Sequence, residues 1–205
     1  MIQRPDFFLH PTFQRRCCLL ILLLSFTTSF SQNADIGLLR KINVYRNTKL
    51  DNTFRFVTHT TAPVSLAAPL VLIGTGINNR DKILTNQGLV CGASLLLSTG
   101  ISLSLKYSIR RKRPFVVYDD IQKMAPAGPC SFPSGHTTAA FATAASLSLA
   151  FPKWYVIAPS FVWAAAVAYS RMHLGVHFPS DVLAGIIIGT GSSLLCYKAQ
   201  EWVKK

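Results

Sequence analysis

The sequence predicts an all-α fold: a membrane helical bundle of about five transmembrane helices, preceded by an N-terminal signal segment and an interfacial helix. Half of the 205 residues are hydrophobic and only 14% are charged, whereas an average soluble domain is roughly a quarter charged. Long apolar runs without Lys, Arg, Asp or Glu also recur along the chain. Because a helix needs roughly 20 such residues to cross a bilayer, these runs predict membrane spans.

Residues 1–31 are predicted to be a signal peptide that is cleaved. Arg15 and Arg16 precede an apolar stretch at 17–26, and residues 29–31 supply small side chains at a cleavage site. An uncleaved membrane anchor is the alternative. Both interpretations place the chain that follows on the outer side of the membrane.

Residues 32–56 are predicted to contain an amphipathic helix. The apolar residues Ile36, Leu39 and Ile42 recur every three positions among basic ones, which is typical of a helix with one apolar face. The helix could lie in the membrane interface or pack on the bundle as an ordinary amphipathic helix.

The region 57–197 is predicted to be the transmembrane domain, with a cytoplasmic tail at 198–205. Basic residues lie between the first two spans, between the third and fourth, and after the last. The positive-inside rule makes these ends cytoplasmic. The basic cluster at 106–113 breaks that rule, and the signal segment decides the orientation. The five predicted spans are 57–79, 83–105, 132–152, 154–170 and 182–197.

This topology brings four helix ends to one outer face. Lys106 ends the second span, His136 opens the third, Arg171 ends the fourth and Asp181 opens the fifth. Ionisable residues are costly near hydrocarbon and usually mark function. Residues that are far apart in the sequence can therefore share one pocket.

Three cations near this face could hold a phosphate group. Arginine offers a planar fork that matches phosphate oxygens, and lysine adds a point charge. Taken singly, each is also explained by anchoring to lipid headgroups. The candidates are Lys106, Arg113 and Arg171, while Arg110, Arg111 and Lys112 are interpreted as surface or headgroup contacts.

Ser134, Gly135 and His136 follow a proline where a helix is expected to begin. Serine is a good N-cap, and free backbone N–H groups at a helix start bind anions. Gly135 lets the backbone approach a ligand closely. His136 could then donate a proton to a leaving alkoxide as a general acid.

His177 and Asp181 are four residues apart at the start of the last span. A carboxylate that holds Nδ1–H fixes the tautomer of the imidazole and leaves Nε2 free as a nucleophile. His173 is also near, and we assign it a structural role without chemistry.

Several classes of function are excluded or disfavoured. The chain lacks the basic stripe with interleaved aromatic residues that is typical of nucleic-acid binding, so membrane lipids and a lipid phosphate are the expected partners. Eight acidic residues in all can hardly supply the ligands of a two-metal phosphatase. The sequence therefore predicts no metal and no cofactor.

These residues fall into three motifs. At this spacing and in this order, they resemble the signature motifs of the type 2 phosphatidic acid phosphatase superfamily, which also includes vanadium-dependent haloperoxidases and glucose-6-phosphatase. The motifs are Lys106-x6-Arg113-Pro114, Pro133-Ser134-Gly135-His136 and Ser170-Arg171-x5-His177-x3-Asp181.

The resemblance implies metal-independent phosphate hydrolysis in two steps at the outer, periplasmic face of a bacterial inner membrane. His177 would form a phosphohistidine, Asp181 would orient it, and His136 would protonate the leaving group. The family's membrane members act on lipid phosphates such as phosphatidic acid, phosphatidylglycerophosphate, undecaprenyl pyrophosphate or lipid A. The phosphoryl oxygens would be held by Lys106, Arg113, Ser134, Gly135 and Arg171.

Three alternatives remain at this point. The site could bind vanadate as a haloperoxidase does, or the chain could be a catalytically silent membrane protein that binds lipid headgroups. Ser134 could instead be the nucleophile of an intramembrane hydrolase, which predicts that Ser134→Ala abolishes activity. The residues do not discriminate between the lipid phosphates.

Overall fold

A computed structural model of the protein describes residues 34–203, and within that range it contains helices and loops but no strand. The predicted all-α fold is therefore confirmed. A short 3-10 helix at Thr48–Leu50 lies between the first two α-helices. The α-helices are α1 (34–43), α2 (Asp51–His59), α3 (Thr61–Asn78), α4 (Lys82–Ile109), α5 (Pro114–Val117), α6 (Gly135–Ala150), α7 (Trp154–His173) and α8 (Pro179–Val203).

The five predicted spans correspond to α3, α4, α6, α7 and α8. In the described part of the chain, three helical segments are long and apolar enough to cross a membrane by themselves: Thr48–Asn78, Lys82–Val117 and Pro179–Trp202. Helix α6 has only 16 residues, so the count of five spans stays a prediction. Large apolar side chains such as those of Leu70, Leu96 and Ile187 are exposed on the bundle surface, as expected for a surface that faces lipid.

Helix α6 occupies the centre and packs against α4, α7 and α8. Its buried side chains include Ala140, Thr143 and Ala144, and small residues let helices approach closely. On α8, a Cβ on Gly185 would lie 2.9 Å from the Ser134 carbonyl oxygen. This close approach joins the starts of α6 and α8.

Helix α1 packs on the loops at the end of the bundle where α4 ends and α8 begins. Ile36 and Leu39 are buried against Ile121 and Phe178. Residues 34–43 pack on the bundle, which is one of the two alternatives for the amphipathic segment. The other alternative, a position in the membrane interface, stays a prediction.

The predicted signal peptide at 1–31 lies outside the described residues. At the other end, α8 continues to Val203, so the last predicted span extends without a break into most of the predicted tail.

The segment between α4 and α6 folds back over the helix ends. Asn43 fastens α1 to it: Nδ2 donates to the carbonyl oxygens of Gln122 (3.1 Å) and His173 (2.8 Å), and Oδ1 accepts from the Gln122 N–H (2.8 Å). Gly175 lies against the same Gln122 carbonyl with a φ of +68°, a conformation that glycine adopts readily.

Candidate active site

Two links join the helix ends that the sequence places on one face. Lys106, near the end of α4, is partly buried, and its ammonium donates to the carbonyl oxygens of Cys130 (3.2 Å) and Pro133 (2.9 Å). The Ser134 N–H donates to the Asp181 carbonyl oxygen (3.0 Å). The starts of α6 and α8 therefore meet beside the end of α4.

Arg113 lies at the centre of the cluster, and its side chain is buried. Nε donates to the Gly128 carbonyl oxygen (2.5 Å), and Nη1 donates to that of Val176 (2.6 Å). Nη1 also lies 3.2 Å from Nε2 of His177. Arg113 is thus the guanidinium in direct contact with the predicted nucleophile.

Arg171 lies in the last turn of α7 and is also buried. Its Nη1 donates to Oγ1 of Thr58 (2.5 Å), while its Nε is buried without a hydrogen-bond partner among the described residues. Buried donors are rarely left unpaired. The free Nε–H therefore marks a place where an acceptor from outside the chain can bind.

The three predicted phosphate-binding cations share one property. Across residues 34–203, no ion pair joins Lys106, Arg113 or Arg171 to a carboxylate. Buried charges are normally paired because desolvation is costly. Three cations that hydrogen-bond only neutral groups make a site suited to a multiply charged anion.

His177 lies in the loop between α7 and α8 and is almost fully buried. Burial lowers the pKa of this imidazole to about 4; the nearby Asp181 opposes the shift and Arg113 adds to it. The ring is therefore neutral at pH 7. Because Arg113 can only donate, the lone pair must be on Nε2 and the proton on Nδ1, on the side of Asp181.

Asp181 is completely buried and accepts several hydrogen bonds. Oδ1 accepts from Arg111 (2.7 Å), and Oδ2 accepts from Oγ of Ser131 (2.5 Å) and the Phe178 N–H (2.9 Å). Oδ2 is 3.5 Å from Nδ1 of His177, which is longer than a normal hydrogen bond. The carboxylate is fixed by its donors and faces the ring without bonding to it tightly.

Arg111 corrects one sequence interpretation. It is not a surface or headgroup contact: its guanidinium bridges Asp181 (2.7 Å) and Asp35 (2.8 Å) and lies 4.0 Å from the Phe178 ring centroid. The reason is that residues 111–113 precede α5 without helical structure, and side chains of extended backbone alternate in direction. Arg111 and Arg113 turn inward, and Lys112 between them is exposed.

Asp35 of α1 also supports the site, although no motif in the sequence points to it. Its carboxylate accepts from the backbone N–H (2.8 Å) and the hydroxyl (2.5 Å) of Ser180, besides Arg111. Ser180 is in the first turn of α8, so Asp35 satisfies a free N–H at that helix start. No local pattern could have predicted a contact across 145 positions.

The second motif lies at the start of α6. Ser134 is at the N-cap position, but its hydroxyl contacts Oγ1 of Thr137 (2.9 Å) and makes no capping hydrogen bond. A Cβ on Gly135 would meet nothing within 4 Å, so space for a ligand is open beside it. His136 is exposed, and it is near enough to Arg171 and Arg113 for their charges to act on it.

His173 lies apart from the cluster. Its Nε2 is 2.8 Å from Oδ1 of Asp51, and its ring packs on Phe54 at a centroid distance of 4.4 Å. Among the described residues, no group of three His, Cys, Asp or Glu side chains could hold a metal ion.

Comparison with known proteins gives a family and a relative that is matched over nearly its whole length. The family model of the PAP2 superfamily matches residues 87–205, more than half of the chain. Phosphatidylglycerophosphatase B of Bacillus subtilis is 31% identical over 201 residues, which cover 91% of this chain and 93% of the relative. Undecaprenyl-diphosphatase of Sulfolobus acidocaldarius is 36% identical over 115 residues, 54% of this chain and 55% of the relative. The chain spans about half the length of the first curated relatives that it matches.

Two solved structures have the same fold. The transmembrane PAP2 type phosphatidylglycerolphosphate phosphatase from Bacillus subtilis superposes with a TM-score of 0.73 at 29% identity, covering 91% of this chain and 94% of that one. Aquifex aeolicus LpxE gives a TM-score of 0.69 at 29% identity, covering 80% and 95%. The resemblance predicted from the three motifs is confirmed, and the chain is a membrane protein that belongs to the PAP2 superfamily.

Proposed function

We propose that this protein hydrolyses a lipid phosphate or pyrophosphate without a metal, through a phosphohistidine on His177. The observation that carries the proposal is the set of three cations, unpaired with any carboxylate of residues 34–203, around a neutral, buried imidazole. Nε2 of that imidazole is 3.2 Å from Arg113. A phosphate monoester carries close to two negative charges, and holding this charge while the leaving oxygen departs is the main task of the site.

In the first step, the lone pair on Nε2 of His177 attacks phosphorus, and the bond from phosphorus to the leaving oxygen breaks. Arg113 exchanges its contact with Nε2 for a phosphoryl oxygen. The unpaired Nε–H of Arg171 and the ammonium of Lys106 supply further donors. The proton on Nδ1 stays between the ring and Asp181, whose charge stabilises the positive ring.

The leaving oxygen takes a proton from His136, which lies at the open side of the site. In the second step, water attacks the phosphohistidine and gives a proton to His136. The bond between phosphorus and Nε2 then breaks, phosphate is released, and His177 returns to its neutral form. One residue thus acts first as acid and then as base.

A lipid substrate fits the position of the site at the helix ends. Relatives of the chain are named for undecaprenyl diphosphate, phosphatidylglycerophosphate and lipid A. A lipid can keep its tail beside the exposed apolar surface of the bundle while its phosphate enters the cluster. We infer from the predicted signal segment that this end faces the outer side of a bacterial inner membrane.

Phosphate release tests the proposal directly. Purified protein in detergent with EDTA is assayed against the four lipid classes and a soluble sugar phosphate, and we expect activity on at least one lipid. Rapid quenching of the reaction with a labelled substrate in alkaline detergent should trap a phosphorylated protein that is acid-labile and base-stable. His177→Ala should not label, while Ser134→Ala should lose only part of the activity. Turnover by His177→Ala, or total loss in Ser134→Ala, would contradict the mechanism.

A further inference from the structure

We propose that a second anion site, formed by Arg55, His59 and Lys123, lies beside the phosphoryl site and binds a second phosphate carried by the leaving group. This inference rests on the proposed function and concerns the choice of substrate. These three residues belong to none of the three motifs.

The three side chains line an open groove of about 700 Å³ between the end of α2 and the segment after α5. Half of the lining residues are basic or histidine, and the groove residues include no acid. The full lining is Arg55, His59, Lys123, Met124, Ala125 and Pro126.

Both walls of the groove contact the phosphoryl site. On one wall, Thr58 precedes His59 and accepts the hydrogen bond from Arg171 (2.5 Å). On the other wall, the Met124 N–H donates to the Leu174 carbonyl oxygen (3.0 Å), in the loop that leads to His177. The groove and the phosphoryl site therefore share their supports.

The groove is also on the side of the leaving group. His59 is exposed and near enough to His136 for the two rings to interact electrostatically. His136 is the residue that protonates the leaving oxygen in the proposed mechanism. The next charged group of the substrate beyond that oxygen would therefore meet the groove.

The charges of the groove are available to a ligand. Nε of Arg55 donates to the Met124 carbonyl oxygen (2.8 Å), and the Lys123 ammonium lies 4.8 Å from the centroid of the Phe115 ring. Within the described chain, neither cation has a carboxylate partner. An anion can thus bind here without breaking an ion pair.

This geometry selects among lipid phosphates by the charge of the leaving group. The leaving group of a polyprenyl diphosphate is the polyprenyl monophosphate. Its phosphorus is therefore bonded directly to the leaving oxygen. Phosphatidylglycerophosphate carries a phosphodiester a few bonds further on. Phosphatidic acid leaves as a neutral diacylglycerol and gains nothing from the groove.

The test compares the full-length protein with a His59→Gln/Lys123→Gln double variant on these three lipids. We expect the ratio of kcat/KM for a lipid with a second phosphate to that for phosphatidic acid to fall about tenfold, which is the loss expected for one charge-assisted hydrogen bond. A ratio that falls only for polyprenyl diphosphate, or only for phosphatidylglycerophosphate, identifies which second phosphate binds. Lys153→Gln, at the opposite end of α7, is the matched control for net charge and should keep the ratio.

Binding provides a readout that does not depend on turnover. Wild-type protein in detergent should bind methylenediphosphonate more tightly than methylphosphonate, and the double variant should lose most of this preference. The second anion site would be overturned if the double variant lost kcat/KM equally on all three lipids, so that the ratio did not change. It would also be overturned if the wild type did not prefer methylenediphosphonate to methylphosphonate. Absence of phosphate release from every lipid would instead reject the proposed function, while the binding result still decides about the groove.

Discussion

The chain contains two buried histidines four residues apart, each facing an aspartate and each with an arginine beside that aspartate. One set is His177 with Asp181 and Arg111. The other is His173 with Asp51 and Arg46. The two sets contain the same residue types. Only the His177 set, however, has surroundings that suit the proposed phosphoryl transfer.

The two sets differ in which ring nitrogen the carboxylate faces. Asp51 holds Nε2 of His173 at 2.8 Å, and Arg46 donates to the same oxygen at 2.9 Å. Asp181 instead faces Nδ1 of His177, and Nε2 is directed toward Arg113. An arginine pairs with the carboxylate in both sets, so the ring nitrogen that the carboxylate faces is what distinguishes them.

The surroundings extend this difference. Next to His177 are cations that no described carboxylate pairs, whereas His173 packs on the aromatic ring of Phe54. A His–Asp pair is therefore not itself a signal of catalysis. The signal is a pair in which the carboxylate faces Nδ1, so that Nε2 is directed toward cations that no described carboxylate pairs.

The largest expected effect comes from removing the ring in the first set. His177→Ala should lower kcat by at least about 10³-fold, because the losses seen when a nucleophile is removed are of this order or larger. Phosphate release measures the loss, and a thermal melt in detergent checks that the variant is folded. Turnover within tenfold of the wild type would remove the distinction between the two sets.

Arg111 gives the next effect. Arg111→Gln removes the donor that fixes Oδ1 of Asp181, so the carboxylate should orient His177 less well. We expect kcat to fall by about 10- to 100-fold with a smaller change in KM, as for other groups that act through a catalytic residue. Arg110→Gln is the matched control, because the Arg110 side chain hydrogen-bonds only the Tyr107 carbonyl oxygen among the described residues. If the two variants lowered kcat equally, the effect of Arg111 would come from its net charge and not from its contact with Asp181.

In the second set the effect should be on stability. His173→Ala leaves Asp51 with one buried partner fewer, and the loss of such a hydrogen bond costs about 1–3 kcal/mol. The melting temperature in detergent should fall by several degrees, while kcat of the folded fraction stays close to that of the wild type. A selective loss of kcat with an unchanged melting temperature would show that His173 takes part in the chemistry.

The smallest effect concerns the acid limb of the pH profile. His177 has a folded-state pKa of about 4, so it is neutral at pH 7 and loses its Nε2 lone pair as pH falls through about 4. kcat/KM should decline there, separately from the ionisation of the substrate phosphate at about pH 6. Two substrates with different phosphate pKa values distinguish the limbs, since the His177 limb should not move between them. Asp181→Asn should shift it to lower pH, because the carboxylate raises the pKa of the ring.

The sequence allowed the helix ends of the bundle to be placed, and the reason is physical. A polar residue at the end of a long apolar run must lie near the membrane surface, so the runs alone bring Lys106, His136, Arg171 and Asp181 toward one face. The structure brings these residues to adjoining helix ends. The roles assigned to them are still predictions.

What the sequence could not supply are the contacts that depend on tertiary packing. Thr58, which accepts from Arg171, has no motif around it. The inward direction of Arg111 follows from the extended backbone before Pro114, which directs the side chains of Arg111 and Arg113 to the same side. The role of Asp35 could not be inferred, because its partners lie on the last helix.

The contact of Asp35 with Ser180 and Arg111 has a consequence for biogenesis. The chain leaves the ribosome from its amino end, so the residue that supports the reaction centre emerges long before its partners. Synthesis and insertion of the final helix must be complete before this support can form. On the proposed function, a nascent chain that lacks this helix would therefore release no phosphate from lipids near the translocon.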